Sequence, residues 1–132
     1  MLTELTIKDF ISKVISNDPV PGGGSVSALN GALAAALSAM VANLTVGRKK
    51  YVEVNDLMQE LSARFEKLSQ KLIEDVDRDS DAYNRVFAAF KLPKETDEEK
   101  QVRSEAIQRE TKYAAQVPME VARAVYEVLP MI

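Results

Sequence analysis

Pro21–Asn43, PGGGSVSALNGALAAALSAMVAN, joins a triglycine turn to a run of almost nothing but small side chains. Gly31, Ala35 and Ala39 recur at every fourth position, and Ala28, Ala32, Ala36 and Asn43 continue the small faces beside them. A helix this thin is built for close approach by another element. The glycines let the backbone take unusual conformations and let a ligand or a second chain touch main-chain N–H groups at a helix N-terminus. The stretch therefore predicts a central helix, capped by Ser25 and running to about Thr45, with a candidate binding loop at its start. Gly47 supplies the stop.

On the N-terminal side, Ile7, Phe10, Ile11, Val14 and Ile15 follow helical spacing, with Thr6 and Asp9 placed as a capping box. Asn17–Gly24, NDPVPGGG, reads as a loop. On the C-terminal side, Arg48, Lys49 and Lys50 fall at a helix end, where the macrodipole favours cations. They read either as a dipole-matched basic turn or as an anion clamp.

From Val54 to Phe90 the chain has neither glycine nor proline. Val54, Leu57, Leu61, Phe65, Leu68, Leu72, Val76, Tyr83, Val86 and Phe90 recur in steps that predict one helix of about 35 residues, about 50 Å long. Much of that stripe repeats at eleven residues, so it scarcely drifts around the helix. A helix this long calls for a partner, and a second copy of the chain is the simplest one.

One step of the stripe lands on Asp79, with Asp75 at its edge and Asp77 and Asp81 on the opposite side. An unpaired carboxylate in a core costs several kcal/mol, so something must meet Asp79. It reads as a structural ion pair or cap, or as a carboxylate lining a cavity. The pair Asp75 and Asp79 alone is a weak metal signal.

Pro93 ends the long helix, and Thr96 with Glu99 forms another capping box for a helix from Asp97 to about Ala115. Val117 and Pro118 are expected to break or kink it before Met119–Leu129 restarts. The apolar VLPMI ending suggests a covered or shortened terminus. No strand pattern occurs, so the fold class is all-α: long antiparallel helices in a bundle, one domain over 1–132.

Composition narrows the chemistry. The 132 residues include no cysteine and no histidine, leaving Asp, Glu, Lys, Tyr, Ser and backbone dipoles for any catalysis. The net charge of −3 gives no reason to expect nucleic acid. The first residues lack signal-peptide character, and the apolarity of 28–46 comes mainly from alanine, so a cytoplasmic location without a membrane span is the expectation.

Thr6–Tyr51, then DSDAYNRVFAAFKLPK (Asp79–Lys94) and AAQVPMEVA (Ala114–Ala122), resemble the formiminotransferase-cyclodeaminase C-terminal family. The likeness covers nearly the whole chain, and the PxPGGGS turn leading into an alanine-rich helix that ends in VAN is its most specific part. It implies an all-helical homodimer acting on a tetrahydrofolate derivative, without a tightly bound cofactor or a metal. The reaction implied is cyclodeamination of 5-formiminotetrahydrofolate or hydration of 5,10-methenyltetrahydrofolate.

On that substrate Asp79 reads as the general base, or as the anchor of the pterin's donor edge. Gly22, Gly23, Gly24 and Ser25 would offer N–H groups, or else make a tight dimer crossing. Asn43 would bond the pterin or cap a buried carbonyl. Arg48, Lys49, Lys50 and, less directly, Lys94 would meet the anionic glutamate tail. Family members usually continue through further helices that this chain lacks, which suggests C-terminal truncation. The competing reading is a non-catalytic helical dimerisation module, with Asp79 in an ion pair.

Overall fold

The structure is a computed structural model describing residues 1–132. Four helices carry the chain: α1 (Ile7–Ile15), α2 (Gly23–Thr45), α3 (Asn55–Phe90) and α4 (Asp97–Val128), with short 3-10 turns at Leu2–Glu4, Lys49–Val54 and Leu129–Met131. There is no strand. Thr6 caps α1 by accepting from the Asp9 N–H, and Thr96 with Glu99 forms a complete capping box on α4. Gly47 takes a φ of 75° just past α2, a conformation open to glycine at little cost.

Side-chain bonds fix the order along the helices. Ser25 meets Val76 and Ser80, Ser69 donates to the Ala32 carbonyl, and Ser62 meets Asn43, so α2 and α3 run antiparallel. On the other side Arg78 pairs with Glu120 and Arg85 with Glu110, so α4 is also antiparallel to α3. Ala28, Ala32, Ala35, Ala39 and Ala42 form the buried face of α2. The core gathers Leu2, Phe10, Ala28, Ala32, Leu72, Val76 and Val121. By length and composition α2 alone could cross a membrane, and a third of its most apolar window is buried inside the fold.

Four local expectations are corrected. Gly22, not Ser25, is the N-cap of α2, which places Ser25 in the first turn facing inward. Pro118 does not break α4, which continues to Val128. Val117 and Val121 on either side are buried, and this packing outweighs the one backbone bond that proline forgoes.

Asp77 is buried rather than solvated, because its carboxylate accepts from the Leu2 N–H at 2.5 Å and the Thr3 hydroxyl at 2.5 Å. Tyr83 and Phe90 are exposed. They lie past the point where Ser25 meets Ser80, so the start of α2 leaves that part of α3 uncovered.

Glu110 is buried on α4, with Arg109 Nε at 2.9 Å and Arg85 Nε at 2.7 Å. Hydrogen bonds from Arg109 and then Arg85 hold its carboxyl below the usual glutamate value. Its contribution to stability is therefore complete above the ordinary value of 4.5 and is lost as pH falls through the lower folded one. Glu110→Gln is expected to flatten the acid limb of the melting temperature against pH. Superimposable limbs in the two proteins would remove Glu110 from the acid response.

Candidate active site

The first turn of α2 and the middle of α3 meet where Gly24 and Ser25 face Asp79. Ser25 is fully buried, and its Oγ lies 2.8 Å from the Val76 carbonyl, 2.9 Å from Ser80 Oγ and 3.2 Å from Asp79 Oδ2. The Asp79 carboxylate rests against Gly24, and any Cβ built there would overlap it. Only glycine permits this approach. The carboxylate thus sits at the positive end of the α2 dipole, beside N–H groups that have no partner within the helix.

The neighbouring aspartates have different partners. Asp75 is held by Lys71 Nζ at 2.8 Å and Arg78 Nε at 3.2 Å, and Asp77 is bound to the N-terminal segment. Asp79 is in no ion pair; the Ser25 hydroxyl is its hydrogen-bond partner. It is the half-buried carboxylate of this turn that is available to something else. No group of three or more potential metal-ligating side chains gathers anywhere in the chain.

A cleft of about 580 Å³ opens beside the glycine turn, lined by Gly23, Gly24, Ser27 and Gly31 of α2 and by α4 residues including Val121 and Tyr126. Its α4 wall is largely apolar, and neither Asp79 nor Ser25 is among the residues that line it.

The other candidates lie elsewhere in the chain. Asn43 is 18 residues beyond Ser25, about 27 Å along α2. There its Oδ1 accepts from Ser62 at 2.7 Å and its Nδ2 donates to Glu66 at 3.2 Å. Arg48 donates through Nε to the Leu44 carbonyl at the C-terminal end of α2, Lys50 lies over the Tyr51 ring, and Lys49 is exposed. Lys94 is exposed in the turn between α3 and α4. A single chain therefore brings Asp79 together with Gly24 and Ser25, the inner end of the Gly22–Ser25 turn, but not with Asn43 or the cations.

Ser80 is the member of this cluster that periodicity missed. It stands four residues after Val76, and that step was open to being read as the stripe.

Residues 6–132 match the family described as formiminotransferase-cyclodeaminase. The chain belongs to that family. It is 41% identical over 126 residues to a methenyltetrahydrofolate cyclohydrolase of Methylorubrum extorquens, covering 96% of this chain and 61% of that protein. It is 35% identical over 131 residues to the formimidoyltransferase-cyclodeaminase of Rattus norvegicus, covering 99% of this chain and 24% of that one. The crystal structure of a formiminotetrahydrofolate cyclodeaminase from Thermotoga maritima superposes with a TM-score of 0.78 at 34% identity. That match covers 94% of this chain and 58% of the other. The chain thus spans less than two thirds of the length of these relatives.

Proposed function

We propose that this chain carries the folate reaction centre of its family, with Asp79 as general base beside the Gly22–Ser25 turn. The observation that carries this reading is that Asp79 has no cation partner although it faces inward between two helices, whereas Asp75 one turn away has two. An aspartate serving as a structural ion pair at this place would be met by cations as Asp75 is by Lys71 and Arg78.

The substrate is a tetrahydrofolate bearing one carbon on N5 or between N5 and N10. In hydration, the water oxygen bonds to the methenyl carbon and Asp79 accepts one water proton. The neutral tetrahedral adduct then forms its C=O bond as the bond to N5 breaks, and the remaining hydroxyl proton moves to N5. In deamination, N10 attacks the protonated formimino carbon and Asp79 takes the N10 proton. That proton passes to the exocyclic nitrogen, which leaves as ammonia. Both routes share the tetrahedral carbon and a delocalised cation, which a carboxylate stabilises.

Arg48, Lys49 and Lys50 receive the anionic tail. Since they lie more than about 30 Å from Asp79 within one chain, they come from a second copy in a homodimer, and Asn43 comes with them. Lys94 remains at the rim. We read the protein as cytoplasmic, free of membrane and nucleic acid, and working without a tightly bound cofactor.

The test is turnover by the purified chain, measured as absorbance loss of 5,10-methenyltetrahydrofolate and as ammonia release from 5-formiminotetrahydrofolate. Acceleration of either reaction above the uncatalysed rate is expected. No acceleration of either by a folded protein would favour the non-catalytic module.

A further inference from the structure

We propose that Ser25 is a positioning residue for Asp79, with a hydroxyl hydrogen that follows the charge on that carboxylate; this rests on the reaction centre proposed above. Ser25 is completely buried, so its side chain is out of reach of a substrate, yet its oxygen has three polar neighbours. A serine hydroxyl has one hydrogen to donate and two lone pairs to accept with. The Val76 carbonyl and an ionised Asp79 can only accept. Ser80 is therefore the donor to Ser25, which leaves the single Ser25 hydrogen to choose between Val76 O at 2.8 Å and Asp79 Oδ2 at 3.2 Å.

The choice is set by charge. While Asp79 is ionised, a charge-assisted bond draws the hydrogen toward Oδ2. Once Asp79 holds a proton, that advantage disappears and the hydrogen returns to the Val76 carbonyl, the closer acceptor. Neither state leaves the buried hydroxyl without an acceptor, and the carboxylate keeps its direction over Gly24 throughout. No proton leaves Ser25 in the cycle. Its effect is to hold Oδ2, which fixes the carboxylate plane with Oδ1 set against Gly24 at the start of α2.

The experiment combines kinetics with infrared difference spectroscopy of the Asp79 carboxylate band, identified by its disappearance in Asp79→Asn. Ser25→Ala is expected to shift that band and to lower kcat about ten- to a hundredfold, with KM within about twofold of wild type. Ser25→Cys fills the space with a weak donor and is expected to shift the band less and to recover part of kcat. It also serves if the alanine variant does not fold. Ser80→Ala leaves the Ser25 hydrogen and both acceptors in place and is expected to keep the wild-type band.

An unshifted Asp79 band in both Ser25 variants would overturn the proposal, as would an equal band shift in Ser80→Ala. The infrared readout does not depend on turnover. A band shift in the Ser25 variants together with an inactive wild type would support the positioning and count against the folate reaction instead.

Discussion

Asp79→Asn is expected to fold like the wild type and to lose about a hundredfold to ten-thousandfold in kcat for hydration of 5,10-methenyltetrahydrofolate. Asparagine has nearly the same shape, its amide oxygen can still accept from Ser25, and it keeps the contact with Gly24. What it removes is the negative charge and the capacity to take a proton. The split between parameters separates the two roles open to this residue. A base acts in the transition state, so its loss lowers kcat with KM little changed. An anchor for the pterin edge holds ground state and transition state alike, so its loss raises KM. Wild-type kcat in the variant would dismiss Asp79 as the base.

Leu72→Ala is expected to destabilise the fold by about 2 to 5 kcal/mol, seen as a lower urea midpoint with an unchanged slope. Leu72 has no exposed surface and sits in the core with Ala28, Ala32, Val76 and Val121. The helix it faces offers alanines, so few large side chains fill the seam between α2 and α3. On the α2 side the cavity left by truncation faces Gly31, Ala28 and Ala32, which have little side chain with which to fill it. A loss below about 1 kcal/mol would mean that the α2–α3 seam is looser than its geometry implies.

The parts of the fold that the sequence discloses are those with local causes. The span of α3 follows from an uninterrupted apolar stripe, the start of α4 from Thr96 and Glu99, and the buried face of α2 from its alanines. Asp79 was legible as an inward carboxylate because it interrupts a stripe. The features that escaped have partners far away in the chain. Asp77 is buried by Leu2 and Thr3, more than seventy residues earlier, and no periodicity on α3 carries that information.

Pro118 reads locally as a helix breaker, but burial of Val117 and Val121 keeps α4 continuous. Ser25 resembles a cap in sequence, and only the approach of α3 turns it inward. Tyr83 and Phe90 continue the stripe faithfully, but α2 begins too late to cover them. The site residues divide in the same way. Gly24, Ser25 and Asp79 converge within one chain, whereas Asn43 and the Arg48–Lys50 cations stand at the other end of α2.

The most direct test of a folate site at the glycine turn is thermal stabilisation by 5-formyltetrahydrofolate, a stable relative of the proposed substrates, at about one millimolar. The wild-type chain is expected to gain several degrees in melting temperature, and Gly24→Ala, whose methyl group displaces the Asp79 carboxylate, is expected to gain little or nothing. No shift in the wild type, or an equal shift in the Gly24 variant, would contradict a folate site built on Gly24 and Asp79.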